Sequence, residues 1–307
     1  MSLLVYVITY LAVIVFVSAV LYRFIGYLRN PMHVRWELYP VAHEGKRASY
    51  GGGYLEEVDW WKKPREKSRI REIKAMAEEI LLLKAVRDNN RPLWYLTYPF
   101  HLGLYLTAAF IALVVIGAIA QLAGVAIDPI SSLTTLIGLA GFVLGLIGAV
   151  GLFLRRLTDI NLRDYSSFEH FFNLALFIIT IGIGILTWLL VDPSFNMART
   201  FVANLISFNL APIESPMFVL QVLLASLLIA YIPLTHMSHF FMKYFLYHDI
   251  RWGDEPNVDN LATQAKIGVV LNYPVTWAAP HIAGHGKNTW AEVATFNPAA
   301  EPETEKE

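Results

Sequence analysis

Apolar residues along this chain are concentrated in five long runs that carry almost no charge. A helix needs about 20 predominantly apolar residues to cross the bilayer core, which is about 30 Å thick. Every run reaches that length, and together they cover residues 3–25, 97–122, 130–154, 168–191 and 216–245. The pattern predicts an all-α integral membrane protein, built as a bundle of five transmembrane helices.

The segments around these runs are more polar and favour a division into four parts. We expect residues 1–27 to form the first transmembrane helix, 28–95 a cytoplasmic connection, 96–245 a four-helix membrane core, and 246–307 a cytoplasmic tail that docks a partner. The apolar stretch 200–210 is too short to span a bilayer, so it suits an interfacial or re-entrant piece.

Within the long connection, residues 66–88 place apolar side chains at helical spacing. One stripe of this helix contains Ile70, Ile73, Ala77, Ile80 and Leu81. A narrow apolar stripe of this kind predicts an amphipathic helix that lies on a surface or docks a partner.

The basic residues are distributed very unevenly and predict the orientation of the bundle. Of the 24 Lys and Arg residues, 15 lie between Arg23 and Arg91, three lie between the third and fourth runs, and five lie at and beyond the end of the fifth. Only Arg199 is left for the opposite side. Because cytoplasmic segments carry the excess of positive charge, we expect the N-terminus outside and the C-terminus in the cytoplasm.

Composition excludes several classes of function. Cysteine is absent, so the chain can hold no Cys-ligated iron–sulfur cluster, no thioether-linked haem, no zinc finger and no disulfide. The formal net charge of -1 argues against nucleic-acid binding through bulk basicity. Nine histidines remain as the principal candidate metal ligands.

Four histidines lie within the apolar runs, where ionisable side chains are costly and often functional. His101 and His170 are near the starts of the second and fourth runs, and His236 and His239 are near the end of the fifth. In an up-and-down bundle these positions fall in one layer. A single intramembrane histidine is often only a hydrogen-bonded helix contact, but four in one layer favour a cofactor.

A b-type haem takes two opposed axial ligands from facing helices and needs no cysteine. His101 and His239 lie on different helices at matching depth, so we expect them to be the axial ligands of the haem iron. Gly103 gives room beside His101. Pro233, one turn before His236, predicts a bend in the fifth helix.

The remaining histidines have more than one possible role. His170 and His236 could hold a haem in another arrangement, or serve a quinone or proton site. His170 and its neighbour Glu169 are the candidate pair for that site, with Lys243 as a nearby cation. Alternatives toward the other membrane face are Gln221, Arg199 and Glu214.

Several segments resemble known membrane cytochromes. Y-P-F-H-L-G at 98–103 and P-L-T-H-M-S-H at 233–239 resemble the gamma subunit of respiratory nitrate reductase. H-D-I-R-W-G-D-E-P-N at 248–257, N-Y-P-V-T-W-A-A-P-H-I at 272–282 and T-W-A-E-V-A-T at 289–295 resemble a narrower family. That family is the cytochrome b subunit of the membrane complex associated with dissimilatory sulfite reduction, also described as a heterodisulfide-reductase-like menaquinol oxidoreductase.

The resemblance implies a quinol oxidoreductase subunit in the plasma membrane of a prokaryote. Such a subunit carries electrons between menaquinone and a cytoplasmic iron–sulfur subunit resembling heterodisulfide reductase, in anaerobic sulfur or sulfite respiration. Further membrane and cytochrome c subunits of the complex would be its other partners.

The same resemblance bears on the number of haems. In the nitrate reductase pattern, two bis-histidine haems lie between helices two and five. The inner pair matches His101 and His239, but Ile111 and Gln221 stand where the outer pair would be. One haem b and menaquinone are therefore the expected cofactors, and a second haem stays open. The alternative is a non-redox membrane anchor or a proton-coupled transport subunit, although no internal repeat typical of transporters is visible.

Overall fold

The computed structural model describes residues 2–29, 57–63, 68–245, 261–279, 282 and 286–297. Throughout these residues the chain is helical, apart from turns and two isolated bridges. The helices are α1 (Ser2–Arg29), α2 (Arg69–Leu81), α3 (Lys84–Asn89), α4 (Arg91–Leu122), α5 (Asp128–Thr158), α6 (Ile160–Asp164), α7 (Phe168–Leu190), α8 (Asn196–Ile206), α9 (Pro216–Tyr231), α10 (His239–Phe245), α11 (Leu261–Leu271) and α12 (Trp290–Thr295).

Five helical segments are long and apolar enough to cross a membrane, which confirms the five expected spans. They are Ser2–Arg29, Arg91–Leu122, Ile130–Thr158, Phe168–Leu190 and Pro216–Leu234. Helices satisfy their backbone hydrogen bonds internally, as the hydrocarbon core requires. This architecture is typical of a multi-pass membrane protein. The short apolar stretch near residue 200 forms α8, which has only 11 residues.

The fifth span, expected over residues 216–245 with a bend at Pro233, is interrupted and not only bent. Helix α9 ends at Tyr231, two single 3-10 turns follow, and α10 begins at His239. Proline has no backbone N–H to donate, so Pro233 interrupts the ladder of helical hydrogen bonds. Thr235 is fully extended, and its Oγ1 accepts a hydrogen bond from the Met237 N–H at 3.3 Å.

The amphipathic helix expected over residues 66–88 is divided in two. Leu83 adopts a left-handed conformation with φ of 50°, which ends α2 and starts α3. The Tyr105 hydroxyl donates to the Ile80 carbonyl at 2.7 Å, and the Trp94 indole donates to the Leu82 carbonyl at 2.9 Å. Side chains of α4 therefore hold the end of α2. Residues 66–67 lie outside the described residues.

The chain forms two compact units. Unit 1 contains Met1–Arg23 and Ala77–His239, and unit 2 contains Phe24–Met76 and Phe240–Glu307. In unit 1, α4, α5 and α7 enclose an aromatic core that includes Phe110, Phe142 and Phe177. A second core joins α1, α8 and α9, and its buried members are Val5, Tyr6, Phe201, Phe218 and Val222.

Glycines bring α4 and α5 unusually close together. A Cβ built on Gly103 would overlap the backbone of Gly145, and one on Gly148 would overlap the backbone of Phe100. Small residues permit this kind of contact between membrane helices. Gly103 was expected to leave room beside His101, but the space it creates is filled by α5.

In unit 2, the described part of the tail is folded around α11 and α12. The Val275 N–H donates to the Asn288 carbonyl at 2.8 Å, and Val275 is buried. Helix α12 begins with a capping box, in which Thr289 and Glu292 satisfy each other's backbone N–H groups. These hydrogen bonds from Thr289 hold the pKa of Glu292 below its usual value. Residues 246–260 of the expected docking tail lie outside the described residues.

Candidate functional site

The four membrane histidines form two pairs at one end of unit 1. This end is where α4 and α7 begin and where α9 is interrupted. The ring centroids of His101 and His239 lie 6.2 Å apart, and those of His170 and His236 lie 5.5 Å apart. His236 and His239 flank a single 3-10 turn, so the break in the fifth span supplies one histidine to each pair.

Both histidines of the first pair are fixed through the same ring nitrogen. The Nδ1 atom of His101 lies 2.8 Å from the Thr97 carbonyl oxygen, and Nδ1 of His239 lies 3.1 Å from the His236 carbonyl oxygen. A carbonyl only accepts hydrogen bonds, so each Nδ1 carries the proton. The unprotonated nitrogen of each neutral ring is then Nε2. This is the usual second-shell arrangement of metal-binding histidines.

The separation of the two rings suits a single iron between them. Their centroids are 6.2 Å apart, so one metal atom would have room between the rings. In the part of the chain that the structure describes, no three His, Asp or Glu side chains cluster as a bare metal ion would need. A haem iron needs only two protein ligands, so His101 and His239 fit a haem.

The second pair has a different protonation pattern. His170 is the third residue of α7, and its Nδ1 accepts the Ser167 backbone N–H at 3.0 Å within a capping box. A neutral His170 must therefore carry its proton on Nε2. In His236, Nδ1 lies 2.9 Å from Glu169 Oε1, so the ring donates Nδ1–H to the carboxylate and keeps Nε2 as an acceptor.

The second pair thus combines one hydrogen-bond donor and one acceptor. His170 offers Nε2–H, whereas His236 offers the Nε2 lone pair, and both are partly accessible to solvent. A ligating imidazole would need an unprotonated Nε2, which the capping bond of His170 disfavours. The hydrogen bonding of His170 therefore disfavours it as an iron ligand. Glu169 belongs to this site through His236.

An arginine not identified as a site residue from the sequence supports both pairs. Arg23 of α1 donates from Nη1 to Ser238 Oγ at 2.8 Å and from Nη2 to the Leu234 carbonyl at 2.9 Å. These bonds bind the segment between α9 and α10, where the helical hydrogen bonds are missing. The signal available in the sequence was that Arg23 is the only charged residue of the first apolar run, residues 3–25.

A tyrosine on α9 also meets α7 beside the second pair. The Tyr231 hydroxyl donates to Asn173 Oδ1 at 2.8 Å, and its ring packs edge-on against Phe172. Asn173 is buried one helical turn beyond Glu169. These two residues extend the polar site into the bundle, and the sequence analysis missed both.

Two of the other candidate residues, Arg199 and Glu214, lie apart from these pairs. Arg199 is 2% exposed and donates to Ser131 Oγ at 2.9 Å, while Glu214 is exposed in the segment before α9. Ile111, at the position of a second haem ligand, is 48% exposed on α4. Lys243 lies in the second turn of α10.

In comparisons with known proteins, the chain matches no family model, no curated protein and no solved structure.

Proposed function

We propose that this chain is the membrane cytochrome b subunit of a quinol oxidoreductase. It transfers electrons between menaquinone or menaquinol and a cytoplasmic iron–sulfur subunit resembling heterodisulfide reductase, in anaerobic sulfur or sulfite respiration. The observation that carries the proposal is the first histidine pair. Two rings from separate elements both donate Nδ1–H to backbone carbonyls and stand 6.2 Å apart.

His101 and His239 are the residues that would hold one haem b. When bound, the haem would supply reversible one-electron chemistry. The protein's part would be to present the two Nε2 atoms to the iron, and the Thr97 and His236 carbonyls support this by accepting from Nδ1 of each ring. Since a carbonyl partner increases the basicity of a ligating imidazole, these bonds also strengthen the ligand field.

His236, Glu169 and His170 form the proposed site for the quinol head group. Oxidation of a quinol releases two protons, so the site needs a base at the hydroxyl group. Nε2 of His236 accepts one proton from that hydroxyl, and the second proton leaves to water at the exposed side of the site. Glu169, 2.9 Å from Nδ1, then stabilises the resulting imidazolium, as a carboxylate does for the base in hydrolase triads. The Nε2–H of His170 donates to the quinol oxygen and orients it.

The distribution of Lys and Arg supports the proposed orientation of the bundle in the membrane. The positive-inside rule puts both histidine pairs near the cytoplasmic face of the plasma membrane, with the N-terminus outside. Electrons would then leave on the same side as the tail. Because the chain contains no cysteine, any iron–sulfur cluster that receives them belongs to another subunit.

The decisive experiment is a haem-to-protein ratio with the reduced-minus-oxidised spectrum of the purified full-length chain. The proposal requires one b-type haem per chain, with a low-spin spectrum. A colourless protein would overturn it and favour the anchor or transport alternative. A ratio of two would contradict the single-haem assignment and would require a second pair of ligands.

A further inference from the structure

Buried polar residues recur every seven positions along α7. Asn173, Thr180 and Thr187 are each 5% exposed. Seven residues are close to two turns of helix, so these side chains stack on one face, about 10 Å apart. The surroundings are apolar, and a polar group without a partner is costly there. The hydrogen-bond partners of these three side chains therefore indicate what this face of α7 contacts.

Thr180 differs from the other buried threonines in the described part of the chain. Thr9, Thr134 and Thr187 each donate their hydroxyl to the carbonyl four residues earlier. This local bond is the usual way in which a helix satisfies a buried threonine. The Thr180 hydroxyl makes no such bond, and its Oγ1 is buried with no hydrogen-bond partner among the described residues.

Two further buried polar atoms lack a hydrogen-bond partner among the described residues, one on α7 and one on α9. They are Nδ2 of Asn173 and Oε1 of Gln221. Tyr231 meets Asn173, and a Cβ built on Gly184 would lie 3.3 Å from Gln221 Nε2. Residue numbers rise on α7 as they fall on α9, so the helices are antiparallel. Gln221 thus lies near the level of Gly184, one turn from Thr180.

We propose that the α7–α9 contact binds ordered water at Asn173, Thr180 and Gln221. Each of the three groups can hydrogen-bond to water: an amide N–H donates, a carbonyl oxygen accepts, and a hydroxyl does both. They make no hydrogen bonds to one another. Buried waters typically make about three hydrogen bonds to groups left unsatisfied by the protein. This water continues the hydrogen-bonded chain that begins at Tyr231 and brings exchangeable protons to the middle of the bundle.

The stability of two matched threonine variants tests the proposal. Thr180→Val removes a hydroxyl that bonds water, so the melting temperature should fall by about 2–4 °C. Thr187→Val is the control, because this threonine has the same burial on the same helix but bonds its own helix. Its melting temperature should stay within about 1 °C of the parent chain. If Thr180→Val melts at the same or a higher temperature than the parent, the contact is dry and the proposal is wrong.

X-ray radiolytic labelling gives a second readout that needs neither haem nor quinone. Water near a buried ring generates hydroxyl radicals that modify it. Phe177 lies between Asn173 and Thr180 and is 5% exposed, whereas Phe110, in the same aromatic core, is 9% exposed and packs against the rings of Phe142 and Phe195. We expect modification of Phe177 well above that of Phe110, and its loss in Gln221→Leu. Equal labelling of both rings would overturn the proposal, and it decides the question if Thr180→Val does not fold.

Discussion

Nδ1 of His239 donates to the backbone carbonyl oxygen of His236 across 3.1 Å. The two histidines belong to different pairs, so one turn of backbone joins the candidate haem ligand to the candidate quinol base. A displacement of His236 on binding a head group would move the carbonyl that orients His239. The break in the fifth span sets the geometry of this contact, because His236 begins a 3-10 turn and His239 directly follows it.

The ligand assignment predicts a specific loss of colour. His101→Ala and His239→Ala each remove one axial ligand, so each should abolish the low-spin b-type absorbance. His170→Ala is the control, because its Nδ1 is occupied by the Ser167 N–H and it is not expected to ligate. Reduced-minus-oxidised spectra of the purified variants measure the effect. Full spectra in both ligand variants would show that the assignment is wrong.

Arg23 is predicted to stabilise the interrupted segment. Arg23→Leu removes two hydrogen bonds from a charged donor, and each such bond contributes about 1.5–3 kcal/mol. The variant should melt at a lower temperature and lose haem on purification, since Ser238 and Leu234 flank both pairs. Arg29→Leu is the matched control, because Arg29 is exposed on the same helix.

Arg23→Lys separates the effect of charge from that of geometry. A lysine cannot reach two acceptors with one planar group, so it should restore only part of the stability. If Arg23→Leu retains the haem content and melting temperature of Arg29→Leu, the proposed support is absent.

The five spans were predictable because hydrocarbon permits few solutions. A run of 20 apolar residues must be helical in a bilayer, and hydropathy alone finds it. The interruption at Pro233 was predictable in kind, since proline lacks an N–H. The residue at which the helix ends was not predictable. It depends on Thr235 and on Arg23, which lies more than 200 positions away in the sequence.

The pairing of the histidines was only partly predictable. Topology placed four histidines in one layer, but hydrogen bonds decide which of them can bind a metal. The Ser167 capping bond to His170 is local and was visible in principle, since position N3 of a helix often returns to the cap. The Tyr231–Asn173 bond depends on the register of two antiparallel helices, which no local pattern specifies. Gly103 illustrates the same limit, because it was expected to leave room beside His101 and instead lies against the backbone of α5.

Glu169 is predicted to act in quinol oxidation without affecting haem binding. Glu169→Gln keeps the shape of the side chain but removes the charge that stabilises a protonated His236. Quinol oxidation should slow by about 100-fold or more, while the haem spectrum stays unchanged. Glu214→Gln, an exposed carboxylate before α9, is the control. Rates with a soluble quinol analogue measure the effect, and unaltered turnover in Glu169→Gln would remove Glu169 from the mechanism.

The capping box of α12 predicts an acid-sensitive segment in the tail. The N–H and hydroxyl of Thr289 hydrogen-bond to the ionised carboxylate and lower the pKa of Glu292 from its usual 4.5. A lowered pKa means that this stabilisation is present above pH 4.5 and is lost as the pH falls through the lower, folded value. Amide protection in α12, corrected for intrinsic exchange, should decrease below that pH. Glu292→Gln should weaken the pH dependence, and an unchanged profile would contradict the role of the carboxylate.

The close contact between α4 and α5 gives a prediction about packing alone. Gly103→Ala adds a methyl group that overlaps the Gly145 backbone, and neither helix can yield without separating along the seam. Overpacking of this kind typically costs about 1–3 kcal/mol, so the melting temperature should fall by several degrees. Gly182→Ala is the matched control, because it also lies within a membrane helix but has nothing within 4 Å of the added Cβ. Alanine is the better helix former, so this control should be neutral or slightly stabilised. Since Gly103 is two residues from His101, the haem spectrum of Gly103→Ala tells whether the α4–α5 contact also sets the position of that ligand.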